Sequence, residues 1–386
     1  MSIKPYFHLP AISAAFASVL IGYSSSAVII FQAARAAGAD TAQIGSWMIA
    51  LGIGMGVTTF GLSLRYKMPI ITAWSTPGAA LLATSLDGIS MAEATGAFLL
   101  SALLITLCGL TGWFARIMDR IPLPIAAAML AGILFQFGVD AFLSLQSQFS
   151  LVLVMFAIYL AAKKLLPRYT ILVVLVTGFG MCLLLDLLDF SGLAFALQAP
   201  QWVSPAWSPG ALIGVGIPLF VVTMVSQNIP GIAVLRTAGY SAPVSPIIGA
   251  TGLTTLVLAP FGGFAINLAA ITAAICTGPE AHADAGKRYI AGLYTGLFYL
   301  ILGILGTTIA ALFAAFPSEF VLALAGLALL GTISSSLQMA VADDGAREAA
   351  VITFLVTASG LSLFGIGAAF WGLVAGVIVL FVFRRA

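Results

Sequence analysis

Long apolar runs, cut by short polar or charged clusters, follow one another from one end of the chain to the other. Runs near 9–34, 42–63, 91–114, 121–139, 148–162 and 169–188 fill the first half, and runs near 209–232, 242–259, 289–315, 319–341, 349–365 and 367–383 the second. Most approach the ~20 apolar residues that a helix needs to cross the hydrocarbon core of a bilayer. Two more segments, 69–85 and 262–278, are apolar but short, and both begin with small, polar or helix-breaking residues. With these included, the pattern predicts an all-α polytopic membrane protein of fourteen transmembrane segments.

The charges test that count. With the N-terminus cytoplasmic and every segment crossing, all of the 15 Lys and Arg residues except Arg35 fall on the cytoplasmic side, from Lys4 and Arg65 to Arg384 and Arg385. Omitting either short segment inverts the alternation downstream, so the positive-inside rule favours crossing by both. Both termini are then cytoplasmic, and the chain is expected in a bacterial inner membrane. The apolar run Leu9–Phe31 behind Lys4 is too long for a cleaved leader and is read as the first span.

Fourteen spans divide into seven and seven around the polar stretch Leu197–Ser208, whose Trp202 and Trp207 suit an interface. An odd number per half places the second half upside down. Residues 1–196 (spans 1–7) and 209–386 (spans 8–14) are therefore expected to be inverted repeats. The short segments are third in each half, and paired interrupted segments point to a transporter's midplane site.

Composition narrows the chemistry. Hydrophobic residues make up 61% of the chain and charged residues 7%, against roughly 25% charged in soluble domains. A net charge of +2 without a clustered basic face excludes nucleic acid as a partner. Cys108, Cys182 and Cys276 lie inside apolar runs and read as buried thiols. His8 and His282 read as surface residues, and Asp343–Glu348 as a solvated turn. No His/Asp/Glu cluster falls inside a span, so neither a metal, a cofactor nor an enzymatic acid–base pair is expected. No span carries the continuous polar stripe of a channel.

The short segments carry the candidate site. Ile70–Trp74 reads as extended behind Pro69; Ser75 or Thr76 then suits an N-cap, and Pro77 the first helical turn. Phe261-Gly-Gly-Phe-Ala-Ile266 repeats the plan, with Asn267 as the expected cap of a second half-helix. Two such helix starts near the midplane would offer N–H groups and positive dipole ends to a small anion. Ordinary spans, kinked at Pro77 and loosened at Gly262-Gly263, are the alternative. Span 8 holds Ser226-Gln227-Asn228, with Pro230 expected to break the helix just after them; Tyr23-Ser24-Ser25-Ser26 is the mirrored cluster of span 1. The amides are expected to line a site, whereas the serines fit lining and helix packing equally. Trp74 suits either stacking on an aromatic substrate or packing. Asp87, Glu93, Asp140, Asp186, Asp189 and Glu319 fall at outer ends, so no intramembrane carboxylate is evident as a proton carrier.

The strings Ala73-Trp-Ser-Thr-Pro-Gly-Ala-Ala-Leu81, Ser226-Gln-Asn-Ile-Pro-Gly-Ile232 and Ala265-Ile-Asn-Leu-Ala-Ala-Ile-Thr272 resemble signatures of the benzoate/proton symporter (BenE-like) family. That family is similar in fold to the uracil and nucleobase transporters. The resemblance implies a core domain of spans 1–4 and 8–11, a gate domain of spans 5–7 and 12–14, and elevator-like movement between them, often in homodimers. It implies import of an aromatic carboxylate with protons. Substrate contacts are then expected from Tyr23, Ser24, Trp74, Ser75, Thr76, Gln227, Asn228, Ile266 and Asn267. Gln227 and Asn228 stand about where nucleobase transporters carry a glutamate, and an amide cannot ionise. A nucleobase or an inorganic anion on the same fold is the alternative cargo.

Overall fold

The computed structural model describes residues 8–112, 122–190, 199–279, 281–363 and 368–383, without the side chains of Ser24, Ser25, Arg168, Thr237 and Ala314. The expected cytoplasmic charges Lys4, Arg116, Arg120, Arg384 and Arg385 lie outside the described residues.

Polar side chains cap the starts of three of the long apolar helices. α1 (Leu9–Ala36) starts behind His8, whose imidazole accepts the Ala11 N–H. α2 (Thr41–Tyr66) opens on an Asp40–Gln43 capping box, and α4 (Met91–Thr111) on the equivalent Ser90–Glu93 box. Both boxes satisfy orphan first-turn donors. β1 (Thr72–Trp74) and α3 (Thr76–Ser85) lie between them. α5 (Leu123–Leu143), α6 (Phe149–Leu165) and α7 (Thr170–Leu184) complete the first half. The second half comprises α8 (Pro209–Arg236), α9 (Val244–Leu258), β2 (Ile266–Leu268), α10 (Ile271–Thr277), α11 (Tyr289–Ile304), α12 (Ser318–Val341), α13 (Arg347–Ala358) and α14 (Ala368–Phe383).

Among the described residues, seven helices have the length and apolarity to cross a membrane: α1, α2, α4, α5, α8, α12 and α9 with its added turn to Phe261. An eighth crossing is formed if α11 is joined to Gly306–Phe313, from which it is bent by 66°. Apolar side chains such as Leu110, Leu184, Val257 and Phe381 face outward, as a lipid-facing surface requires. The chain is thus a helical, polytopic membrane protein.

α2 lies along α11, and α4 along α9; α1 packs on α3, α10 and α11. The long pairs meet through glycines. A Cβ on Gly52 would collide with the backbone of Gly303, and one on Gly109 with that of Gly249. Elsewhere α5 lies along α12, α13 packs on α5 and α14, and α6 packs on α7 and α12. Contacts between these two groups run chiefly from α1 to α7 and α12, from α3 to α5, and from α8 to α5 and α14.

The strands sit inside the first group as an antiparallel pair, with Thr72 opposite Leu268, Ala73 opposite Asn267 and Trp74 opposite Ile266. Extended backbone inside a membrane protein must find partners for its N–H and C=O groups. Here side chains from the neighbouring helices supply them. Thr59 Oγ1 accepts the Thr72 N–H at 3.0 Å, Thr255 Oγ1 the Ile266 N–H at 3.1 Å, and Asn228 Oδ1 the Leu268 N–H at 3.0 Å. The hydroxyls of Thr58 and Thr59 each lie 2.7 Å from that of Thr72, clasping β1 to α2.

α8 departs from the expected break at Pro230. The helix runs through that residue, and its register is adjusted instead by π turns at Leu212–Gly216 and Met224–Asn228. Each turn ends two residues before a proline, Pro218 and Pro230. A proline lacks the N–H and crowds the carbonyl of residue i−4, and a wider turn accommodates both demands.

Candidate functional site

A cavity of about 430 Å³ opens where the two groups of helices meet. The starts of both short helices border it, with Thr76 and Pro77 from α3 and Ala269–Thr272 leading into α10. α1 supplies Ile21–Tyr23 and Ser26; α2 supplies Met55, α11 Tyr299, and α8 Ser226 and Gln227. The far wall comes from Thr170–Leu172 of α7 and Ala328, Leu329 and Thr332 of α12.

Its aromatic side is fixed internally. The Trp74 indole N–H donates to Ser26 Oγ at 2.8 Å, and that hydroxyl donates to the Gly22 carbonyl at 2.8 Å. Tyr23 packs edge-on against Trp74, with ring centroids 4.7 Å apart, and lies 6.2 Å from Tyr299. The Tyr23 hydroxyl is buried without a hydrogen-bond partner among the described residues. No Asp, Glu, Lys, Arg or His side chain lines the cavity among the described residues.

The expected site residues divide into two sets. Tyr23, Trp74, Thr76 and Gln227 reach the cavity. Ser75, Asn228, Ile266 and Asn267 are fully buried behind it. Ser75 Oγ caps α3 by accepting the Gly78 N–H at 3.0 Å, and it also accepts the Thr223 hydroxyl at 3.1 Å. Asn228 is committed to β2 through Leu268 and donates to Met224 Sδ at 3.1 Å. Ile266 is a strand residue held by Thr255.

Asn267 is not a helix cap. It occupies the centre of β2, and α10 begins only at Ile271, behind Ala270. Its amide donates to the Ala265 carbonyl at 2.8 Å, the same carbonyl that accepts the Ser75 N–H at 3.1 Å. Ala265 has φ +42°, in the left-handed region that side chains other than glycine avoid. Asn267 therefore braces a strained turn joining β2 to the start of α3. Ser24 lies in α1 with its side chain outside the described residues.

Sequence reasoning missed Met55, Tyr299, Thr170 and Thr332. A threonine or tyrosine within a long apolar helix carries no local signal of which face it occupies.

A larger cavity, about 770 Å³, lies at the opposite ends of α1, α3 and α8. Asp87 and Asp140 line it together with Gln32, Gln136 and Ser362. Two carboxylates in a polar lining suit an aqueous approach better than an anion site. The smaller cavity is therefore the candidate site.

The described fold is similar to that of SLC26A9 (TM-score 0.68, 15% identity), covering all of this chain and 66% of that longer one. It is also similar to the transmembrane domain of BicA, a cyanobacterial bicarbonate transporter (TM-score 0.58, 14% identity), covering 98% of this chain and 99% of that one. At such identities the likeness is one of fold. In sequence, the chain is 52% identical over 367 residues to the inner membrane protein YdcO of Escherichia coli K12, covering 95% of this chain and 94% of that one. It is 42% identical over 384 residues to a benzoate membrane transport protein of Acinetobacter baylyi, covering 100% and 98% of the two chains. The profile of the benzoate membrane transport protein family, BenE, matches residues 5–382, and the chain belongs to that family of membrane transporters.

Proposed function

We propose that this protein is a secondary transporter that imports benzoate or a closely related aromatic carboxylate together with protons. One observation carries the reading: the starts of α3 and α10, the rings of Tyr23, Trp74 and Tyr299, and the Gln227 amide converge on one cavity lined by no charged side chain among the described residues. The rings suit an aromatic body, and the helix starts with adjacent hydroxyls suit a carboxyl group. The Acinetobacter relative, named as a benzoate transporter, supports the same cargo. An inorganic anion would leave most of a 430 Å³ cavity unfilled; a nucleobase would not call for helix starts at one end.

Movement is proposed to follow the division into α1–α4 with α8–α11 and α5–α7 with α12–α14. Contacts support a fourteen-segment inverted repeat. Exchanging each helix for the one seven places on turns α2–α11 into α9–α4, and α6–α7 into α13–α14. It also exchanges the two glycine contacts, Gly52–Gly303 and Gly249–Gly109. The candidate cavity reaches Pro167, in the turn beside Lys163 and Lys164, while the other opens beside Asp87 and Asp140. By the positive-inside rule, the cargo cavity faces the cytoplasm and the larger one the outside.

Uptake of labelled benzoate into proteoliposomes, driven by an imposed pH gradient, tests cargo and coupling together. We expect saturable uptake that collapses with an uncoupler. We also expect Thr76→Val to weaken benzoate binding by roughly tenfold, the loss of one well-placed hydrogen bond to a charged or strongly polar group. Indifference to the gradient would remove symport; failure to bind benzoate would remove the cargo.

A further inference from the structure

Resting on the reading that an aromatic carboxylic acid occupies this cavity, the lining chemistry also indicates the protonation state of that acid. A carboxylate taken out of water needs a positive partner or a full set of donors. The titratable groups lining the cavity among the described residues are Tyr23 on α1 and Tyr299 on α11; α2, α3, α7, α8, α10 and α12 contribute none. Donors from α3 are sparse. Pro77 has none, Gly78 donates to Ser75 Oγ, and Ala79 donates to the Ser75 carbonyl. Thr76 retains its N–H and hydroxyl. Such a site is poor in charge for a bare anion.

An amide stands opposite. Gln227 lines the cavity and has no hydrogen-bond partner among the described residues, whereas both ends of the adjacent Asn228 amide are engaged. Both neighbours lie in the π turn Met224–Asn228, and of the two only Gln227 lines the cavity. An amide presents a donor and an acceptor side by side. In that side-by-side arrangement against a carboxylate, one N–H meets an oxygen, but the amide oxygen meets the other with no proton between them. Against an undissociated acid, N–H meets C=O and C=O meets O–H, and both contacts are hydrogen bonds. The buried, unpartnered Tyr23 hydroxyl is one more donor for the acid's carbonyl oxygen.

We propose that the site binds the undissociated acid, that Gln227 recognises its carboxyl group as a two-point pair, and that the co-transported proton travels on the cargo. One proton then enters on the carboxyl oxygen of each molecule and leaves to water on the other side. No net charge crosses, and no protein group changes its protonation.

The test uses the purified full chain in lipid nanodiscs, with labelled benzoate as the probe. Carboxylic acids have pKa values near about 4, so the undissociated fraction falls about tenfold per pH unit above that. The Kd for total benzoate is therefore expected to rise about tenfold per unit between about pH 5 and pH 7. Benzamide carries the same donor–acceptor pair and never ionises, so it should compete with an affinity indifferent to pH. Benzenesulfonate, ionised throughout, should not compete. Gln227→Met should weaken benzoate and benzamide alike by about tenfold or more.

Benzoate affinity level across that range, or effective competition by benzenesulfonate, overturns the proposal and leaves the aromatic-carboxylate reading standing. Loss of benzoate binding in Arg168→Gln, one residue from the lining Pro167, with benzamide binding unchanged, also overturns it in favour of a cationic partner. Binding of neither benzoate nor benzamide at any pH overturns the underlying reading as well. The competition experiments use the unaltered protein and decide the matter even if the Gln227 variant does not fold.

Discussion

Gln227 and Asn228 are chemically alike and adjacent, yet their surroundings give them opposite duties. Asn228 is fully buried and supplies the acceptor for the Leu268 N–H inside the molecule. Replacing it with leucine leaves that N–H stranded, a loss of about 1–3 kcal/mol. Asn228→Leu should therefore lower the thermal melting point in detergent, while Gln227→Met should leave it near the parent value. A variant at Asn228 that melts normally and fails to bind benzoate would reverse the assignment. The sequence marks both amides as unusual inside an apolar run, but not which of them lines a cavity. That depends on where β2 and the cavity lie around α8, which is a tertiary fact. Asn267 was misleading for a related reason: an asparagine before a helix-forming run reads as a cap. Pairing with β1 instead holds Ile266–Leu268 extended and postpones the helix to Ile271.

At the scale of elements, prolines and glycines do most of the shaping in α8 and in the long helix pairs. Pro230→Ala restores an N–H to α8 and removes the ring that crowds the carbonyl of Ser226, so the π turn should relax towards α-helix. Since proline disfavours a helix interior by about 3 kcal/mol relative to alanine, the variant should melt no lower than the parent. Gln227 would be re-aimed, and benzoate affinity should fall about tenfold, the loss of one or two hydrogen bonds. Unchanged affinity would show that the π turn does not aim the amide. Glycines give a paired comparison. Gly109→Ala drives a methyl into the Gly249 backbone, whereas Gly61 has open space around its Cβ position. Gly61→Ala should be neutral or stabilising by up to about 1 kcal/mol, and Gly109→Ala should destabilise by about 1–3 kcal/mol or prevent assembly. A melting curve for each settles it. Long helices were legible because apolar length is a strong signal in a membrane protein. Strands of three residues were legible only as an extended stretch behind Pro69, since their pairing joins residues nearly two hundred positions apart in the chain.

The inverted repeat proposed for the whole molecule rests on basic residues and matched short segments that are visible in the sequence, while the two cavities described above are invisible there. Each cavity arises from the way one group of helices rests on the other, and no local pattern encodes that rest position. Helices that the proposed repeat makes equivalent wall the two: Thr332 of α12 lines the candidate cavity, and Gln136 of α5 lines the opposite one. If one group slides against the other during transport, these positions should gain and lose access to water in opposition. The native thiols Cys108, Cys182 and Cys276 are buried and can be replaced by alanine to clear the background. In that background, Thr332→Cys should react with an impermeant thiol reagent supplied from the cytoplasmic side, and benzoate should protect it. Gln136→Cys should react only from the outside. Imposing benzoate gradients of opposite sign should move the two rates in opposite directions, because a ligand shifts the balance of states only by its unequal affinity for them. Rates that rise and fall together would mean that both cavities open at once. That is the behaviour of a pore, and it would dismiss both the sliding movement and the transporter mechanism built on it.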